Sequence, residues 1–248
     1  CDSASPRCSA IEVAAGTFPY VFAEADGAVV AITNWGEALL FDGTSWCRMI
    51  ERGGSWWCPN DDVQILRSPR GEQFYSSLNF GGETLLGHWP TGVIYEFDGS
   101  RMYPRKDMTP PDIWADKSKN LGYEAQSMAM YCGDLFAGYW PRGEVWRRDQ
   151  QSLTWSLFFR AFSHGDIFED QLIPYLSRTD DDLHPAFFGQ RISSLVPFED
   201  GLFVFTSNLR EWNRSVPDPI WMTSAQRSEY GTVWKISSPN CHTFYSEQ

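Results

Sequence analysis

One unit of sequence recurs four times in this 248-residue chain, and it constrains the fold more than any other feature. In its second copy a glycine pair is followed by ETLLGH, the turn Trp89-Pro90-Thr91-Gly92, the run VIYEF and the turn Asp98-Gly99. In three copies the middle glycine lies six residues before an aspartate: Gly36 and Asp42, Gly92 and Asp98, Gly143 and Asp149. A fixed internal spacing of this kind indicates a repeat architecture.

Each unit has the pattern of short strands joined by tight turns. Val93, Tyr95 and Phe97 alternate with their neighbours at the period of two that a half-buried strand requires. An apolar run precedes each first glycine, which brings the count to four strands per unit. We therefore predict an all-β fold, a β-propeller of about four to five four-stranded blades with long inter-blade loops, in one domain spanning 1–248. The clear blade units are about 17–50, 73–105, 125–160 and 190–246, and the loops are about 51–72, 106–124 and 163–189.

Charge and hydropathy exclude two classes of partner. The chain carries 20 Lys or Arg and 32 Asp or Glu, a formal net charge of −12, whereas nucleic-acid binding needs clustered positive charge. Its apolar runs are too short for a helix that spans a membrane. The predicted partner is a glycan or polysaccharide, on the grounds of the aromatic residues discussed below, and a protein partner is the alternative.

Six cysteines with no closely spaced pair favour disulfides over zinc, and disulfides favour a secreted protein. A periplasmic or surface-attached protein is an alternative. Cys47 and Cys58 flank one short Trp-containing loop and form the first predicted pair. Cys8 and Cys241 form the second, as a link that closes the ring. The start at Cys1, without Met, indicates a processed or trimmed chain.

The repeat resembles several families of propeller. GEVWRRDQQSLTW (143–155) resembles the second half of a kelch blade, and FDGTSW (41–46) is similar to the Asp-box turn of sialidases, although its spacing differs. The pattern LLxGxWPxGxVYxFDG, with 189–207 and 229–236, looks most like secreted propeller proteins of marine and planctomycete-type bacteria, some labelled sialidase-like. The resemblance covers 73–236 best and implies a fold more than an activity.

In propellers, the resemblance implies, the segments that end the second strands approach one face, which usually holds the ligand. Four variable residues end these segments and are candidate ligand contacts: Asn34, His88, Tyr139 and Asn208. Trp57 and Trp114, from the long loops, are placed on the same side. Aromatic faces stack on sugar rings, so this set predicts carbohydrate binding. Trp35, Trp89 and Trp140 recur in successive units, which favours a scaffold role for them over a binding role.

Four residues are candidate catalytic groups. His88 and Tyr139 could serve as base and acid in β-elimination on a uronate polymer, with Arg142 or Arg191 neutralising the substrate carboxylate. A glycosidase is the other enzyme class considered, and a non-catalytic structural or protein-interaction propeller is the alternative to both. No cofactor is predicted beyond structural calcium, for which Asp180 and Asp182 are candidates in an acidic loop.

Overall fold

The protein is all-β, with short helices only. The structure, a computed structural model, describes residues 18–25, 27–33, 37–41, 43, 46–52, 55–57, 73–98, 102–116, 123–163, 189–207 and 223–237. Within these ranges the strands form four antiparallel sheets, and in each sheet the strands lie in chain order. The predicted all-β class is therefore confirmed.

The strands divide among the sheets as the repeat units do. The first sheet contains β1 (Pro19–Ala25), β2 (Ala28–Thr33), β3 (Ala38–Phe41), β4 (Trp46–Arg52) and β5 (Ser55–Trp57). The second contains β6 (Gln73–Phe80), β7 (Glu83–Trp89), β8 (Ile94–Phe97) and β9 (Met102–Pro104). The third contains β10 (Glu124–Tyr131), β11 (Asp134–Trp140), β12 (Glu144–Arg148) and β13 (Trp155–Arg160). The fourth contains β14 (Arg191–Phe198), β15 (Gly201–Ser207) and β16 (Val233–Ser237).

The structure departs from the predicted strand plan in three places. The segment 51–72 was predicted to be a loop, but β4 extends into it and pairs with β5, giving the first sheet five strands. The predicted loop 106–124 contains helix α1 (Pro111–Asp116). Helix α2 (Ser224–Glu229) lies within the fourth predicted blade unit, and the fourth sheet has three strands among the described residues instead of four. Two of the three predicted loops, 51–72 and 106–124, therefore contain regular secondary structure, and most of the third, 163–189, lies outside the described residues.

The turn between the second and third strands of one sheet pairs with the residue before the next sheet. Arg142 forms a parallel bridge with Gln190, whose backbone N–H donates to Pro141 (2.8 Å) and whose carbonyl accepts from Gly143 (2.8 Å). Thr91 forms the equivalent parallel bridge with Tyr123, one sequence repeat earlier. We call these two bridges the docking contacts; one lies directly before the third sheet and the other directly before the fourth.

The chain divides into two compact units. Unit 1 comprises Cys1–Leu86 and Tyr95–Pro104, and unit 2 comprises Gly87–Ile94 and Arg105–Gln248. Each has its own apolar core between consecutive sheets: Val21, Val30, Ile32, Phe74, Leu86 and Phe97 in unit 1, and Phe136, Val145, Phe162, Ile192, Leu202 and Val204 in unit 2. Burying one such side chain contributes about 1.5–3 kcal/mol, so these cores hold neighbouring sheets together.

Two cysteines are described, and both are oxidised. Cys47 in β4 and Cys132 in the hairpin between β10 and β11 each take part in a disulfide. Cys8, Cys58 and Cys241 lie outside the described residues, so the two predicted pairings stay predictions. Among the residues that the structure describes, neither helix could span a membrane.

Candidate ligand-binding site

His88, the predicted base, is a buried residue of a strand. It lies near the end of β7 with 2% of its surface exposed, and its Nδ1 is 2.8 Å from the hydroxyl of Thr91. Its backbone N–H donates to Val93 (3.1 Å), and its carbonyl accepts from Gly92 (3.1 Å). Burial lowers the pKa of His88 from 6.5 to about 3. A base for β-elimination needs a pKa near neutrality and access to substrate, and His88 meets neither requirement.

Tyr139, the predicted acid, is buried as well. It is 1% exposed in β11, and its ring lies against the turn of the preceding sheet, where a Cβ on Gly92 would be 3.4 Å from Cε1. Burial, and to a lesser extent the carboxylate of Glu144, raises the pKa of Tyr139 far above its usual 10.0. The phenol is therefore held neutral, and the geometry does not provide an accessible acid–base pair.

The two arginines predicted to neutralise a substrate carboxylate instead contact side chains of the protein. The guanidinium of Arg142 lies over the ring of Tyr123, 5.2 Å from its centre. Arg191 donates from Nη2 to Oε2 of Glu124 at 2.8 Å, and the Glu124 side chain is completely buried. A buried carboxylate needs a paired cation, so Arg191 already neutralises a charge within the fold. In this arrangement it has a structural use.

The recurring tryptophans fit the scaffold interpretation where they are described. Trp140 is fully buried, and the backbone of Gly189 lies directly on its indole. Trp89 is half-buried. Trp114 is half-buried in α1, and only the backbone of Trp57 is described, in β5. Four further candidates lie outside the described residues: the carbohydrate contacts Asn34 and Asn208, and the calcium ligands Asp180 and Asp182.

The strand register changes which residues are equivalent to Tyr139. Tyr139 pairs with Ala125, next to an irregularity in β10. Thr33 pairs with Pro19, and Thr206 pairs with Ile192, each beside the same irregularity in the first strand of its sheet. The positions equivalent to Tyr139 are therefore Thr33 and Thr206, not Asn34 and Asn208. The turn after Thr33 is one residue shorter than the turn after His88. The backbone N–H of Thr33 donates to the carbonyl four residues later, at Glu37, whereas that of His88 donates to the carbonyl five residues later, at Val93.

A different set of side chains comes together in unit 1, at the start of the first strands of two sheets. The rings of Phe18 and Tyr20 lie 5.2 Å apart edge to face, and those of Tyr20 and Tyr75 lie 5.0 Å apart. We call Phe18, Tyr20 and Tyr75 the aromatic cluster. Tyr20 comes from β1 and Tyr75 from β6, so adjacent sheets build the cluster jointly.

The aromatic cluster is open to solvent and has a polar neighbour. Phe18 is 48% exposed and Tyr20 is 39% exposed, while Tyr75 is half-buried. The hydroxyl of Tyr75 donates to Oε1 of Gln73 at 2.6 Å. An exposed group of aromatic faces beside an amide can hold a flat ligand with hydroxyl groups, because the faces supply apolar contact and the amide supplies directed hydrogen bonds.

The equivalent positions in unit 2 carry different chemistry. Glu124 and Arg191 form the buried ion pair there, and Gln126 and Ser193 occupy the positions that correspond to Tyr75 and Tyr20. The hydroxyl of Ser193 donates to the carbonyl of Phe205 at 3.1 Å. Solvent-exposed aromatic chemistry at these positions is thus a property of unit 1.

Sequence reasoning missed the aromatic cluster because it treated PYVFAEA and QFYSSLNF only as inner strands. A signal was present, since both strands carry Tyr at the same distance from the first glycine. Tyr20 alternates with the buried Val21, and Tyr75 alternates with the buried Phe74, so the period of two already places both tyrosines away from the core. Their contact depends on the packing of β1 beside β6, which the residues of either strand alone do not indicate.

Comparisons with known proteins add little to this geometry. No protein-family model matches the chain, and no curated protein matches it. A solved extracellular domain, assigned to a one-component system of B. thetaiotaomicron, aligns with 9% identity and a TM-score of 0.30 over 75% of this chain. This chain spans 31% of that domain's length. Within the described residues, no group of three or more His, Cys, Asp or Glu is arranged to hold a metal ion.

Proposed function

We propose that this chain is a secreted β-propeller that binds carbohydrate at its aromatic cluster, as a binding protein and not as a lyase. The single observation that carries the proposal is the cluster itself: two exposed rings and a half-buried one in mutual contact beside the Gln73 amide. Exposed aromatic side chains in contact with one another are costly to keep in water, and a ligand that covers them explains their retention.

The propeller part of the proposal is supported by the repeated packing of consecutive sheets. Within unit 1, β1 lies beside β6, and within unit 2, β10 lies beside β14. In both cases the first strands of consecutive sheets are neighbours, as they are around the axis of a propeller. The docking contacts Thr91–Tyr123 and Arg142–Gln190 both lie in unit 2 and recur one repeat apart, as the joins between successive propeller blades do.

Secretion is supported by the oxidised cysteines. Disulfides persist in extracellular and periplasmic compartments and are reduced in the cytosol. Cys47 and Cys132 lie in different sheets, and both are in disulfides. A reducing compartment would remove both links.

The experiment compares two aromatic residues of the same strand. Tyr20→Ala removes the central ring of the cluster, whereas Phe22→Ala removes a ring that is 56% exposed and two residues further along β1. Binding of both variants and the parent protein is measured on a glycan array and then by calorimetry with the best ligand. Unfolding curves for all three proteins show that each variant is folded.

We expect Tyr20→Ala to weaken binding by about tenfold or more, since truncating an aromatic anchor costs at least about 1.4 kcal/mol. Phe22→Ala should stay within about threefold of the parent protein, because Phe22 lies outside the cluster. Equal losses in both variants would place the ligand on the whole strand face and contradict the proposal. No binding by the parent protein to any glycan would leave the protein-interaction alternative in its place.

A further inference from the structure

Cys132 is oxidised, but neither disulfide predicted from the sequence includes it. Its bonding partner lies outside the described residues, which leaves Cys1, Cys8, Cys58 and Cys241 as candidates. Cys241 is the other cysteine of unit 2, whereas the remaining three belong to unit 1. The surroundings of Cys132 within unit 2 distinguish these candidates.

Cys132 lies in the hairpin between β10 and β11, beside the fourth sheet. Its side chain packs against the core that the third and fourth sheets share, and Ile236, near the end of β16, packs against the same core. The hydroxyl of Tyr131 donates to the carbonyl of Asp200 at 2.7 Å and lies 3.5 Å from the carbonyl of Ile236. The last residues of β16 therefore lie next to this hairpin.

The length of chain between β16 and Cys241 fits a bond at this place. Cys241 follows Ile236 by five residues, and an extended chain of that length spans at most about 18 Å. A short tether from a fixed point holds Cys241 at a high local concentration near Cys132, because the entropy cost of closing a loop rises with its length. Ten or more residues separate the two N-terminal cysteines from Phe18, the first residue that the structure describes.

The pairing of β4 with β5 favours Cys47 as the partner of Cys58. Trp57, the last residue of β5, pairs with Ile50 in β4, and Cys58 is the next residue along the chain. Cys47 lies three residues before Ile50 in the same strand, so the two cysteines belong to paired segments. Cys47 is itself oxidised, and a bond to Cys58 accounts for it.

From these observations we infer that Cys132 and Cys241 form a disulfide, which fastens the chain after β16 to the hairpin of the third sheet. This bond replaces the Cys8–Cys241 pair predicted from the sequence. It forms by exchange with a disulfide donor: one cysteine thiolate attacks a donor sulfur and releases a donor thiol, and the second thiolate then displaces the remaining donor thiol. Two electrons pass to the donor disulfide, and the two protons end on the donor thiols.

The bond holds the strand of the fourth sheet that has the least packing. Among the described residues, β16 is the outer strand of a three-stranded sheet and pairs with β15 alone. Four of its five residues are exposed. Strand ends with few buried contacts open locally at low cost in free energy, and a covalent anchor just beyond β16 opposes that opening.

Peptide mapping of the full chain under non-reducing conditions tests the pairing directly. The protein is produced in an oxidising compartment, and its free thiols are blocked with a maleimide before digestion. Trypsin is used because it separates all of the cysteines except Cys8 and Cys47 from one another. We expect the peptide 120–142, which contains Cys132, to be joined to the peptide 236–248, which contains Cys241, until the sample is reduced.

The role of the bond is tested with Cys132→Ser, Cys241→Ser and the double variant. Each single variant should lower the midpoint of thermal unfolding by about 5–15 °C. The double variant should match the single variants within about 3 °C, because the same bond is lost in all three. Hydrogen exchange of the β16 amides should accelerate by at least about tenfold in these variants. It should not change in the control Cys58→Ser, since Cys58 belongs to unit 1.

The inference is overturned if the peptide 120–142 is joined to 1–7, 8–48 or 53–67, or if it carries a blocked thiol. This result is read from the parent protein and does not require any variant to fold. Unchanged exchange of β16 in Cys241→Ser, beside the expected linkage in the parent protein, would remove the anchoring role. The pairing is independent of carbohydrate binding at the aromatic cluster, so neither result bears on the proposed function.

Discussion

Burial holds the imidazole of His88 in its neutral form, and this couples the stability of the protein to pH. The pKa of His88 is about 3 in the folded protein and 6.5 in the unfolded chain. Between these values only the unfolded chain binds the proton, so the free energy of unfolding falls as the pH is lowered through 6.5 toward 3. At pH 5 the His88 contribution to this loss is about 2 kcal/mol.

Urea unfolding of the parent protein and of His88→Asn, at about pH 7.5 and about pH 5, measures this contribution. Asn keeps a hydrogen-bonding group near Thr91 and cannot titrate. We expect the loss of stability on acidification to be about 2 kcal/mol smaller in the variant, because the other titrating groups are common to both proteins. An identical pH dependence in the two proteins would show that His88 is charged, or accessible to water, in the folded state.

The hydroxyl of Tyr139 has no hydrogen-bond partner among the residues that the structure describes, although it is buried. A buried polar group in this state costs about 1–3 kcal/mol, and replacing it by hydrogen removes the cost without leaving a large cavity. Tyr139→Phe should therefore leave the protein as stable as before, or up to about 1 kcal/mol more stable.

Thermal unfolding of Tyr139→Phe, beside Tyr131→Phe, checks this expectation. Tyr131 is the matched control because it is also buried in the third sheet, but its hydroxyl donates to the carbonyl of Asp200 at 2.7 Å. The control should lose about 1 kcal/mol through the unpaired carbonyl. A larger loss in Tyr139→Phe than in Tyr131→Phe would reveal a bonded partner for the Tyr139 hydroxyl.

At the scale of the elements, glycine is required at two turns for different reasons. Gly92 has a φ of +69°, and a Cβ there would lie 2.7 Å from Cβ of Tyr123 and 3.1 Å from Ile113. Gly82, in the hairpin between β6 and β7, has a φ of +86° with open space around it. Gly82→Ala should cost about 1 kcal/mol from backbone strain alone. Gly92→Ala should cost at least about 3 kcal/mol, because the backbone strain and the steric clash add.

Denaturant unfolding of the two alanine variants separates the effects. Equal losses would mean that the turn can move away from Tyr123, and that the contact between the turn and the next sheet does not hold it. The larger loss in Gly92→Ala would show that this contact contributes to stability. The comparison therefore tests whether the contact between the Gly92 turn and Tyr123 contributes to stability.

The elements were more predictable from the sequence than the site was. Glycine and aspartate at fixed spacing determine where hairpins turn, so the strands β7, β8, β11 and β12 lie in the predicted runs. The second strand of the first unit was predicted to end at Asn34, one residue too late. The indication was the distance from Gly27 to Gly36, which is nine residues, whereas Gly82 and Gly92 are ten apart. Burial of Tyr139 was not predictable, because its ring lies against the turn at Gly92, which belongs to another sheet.

For the whole molecule, the exposed face of the fourth sheet is the feature with the largest consequence. Tyr131 and Phe198 hold equivalent positions, since each is the last paired residue before a two-residue turn. Tyr131 is 6% exposed in the core of unit 2, where the fourth sheet covers it, whereas Phe198 is 60% exposed. Val196, two residues before Phe198 in β14, is 41% exposed, while its equivalent Ala129 is 3% exposed.

If this face stays open in solution, Phe198→Ser should change the free energy of unfolding by less than about 1 kcal/mol, as surface substitutions do. Tyr131→Ser, its buried equivalent, should cost about 3 kcal/mol or more through the cavity it leaves. Unfolding is measured at two protein concentrations, with sedimentation of each sample, so that association is detected directly. A cost in Phe198→Ser that approaches the Tyr131→Ser value at both concentrations would show that another part of the same chain covers the face. A cost that appears only at the higher concentration, together with a larger sedimenting species, would show that a second copy covers it, because stability then depends on protein concentration by mass action.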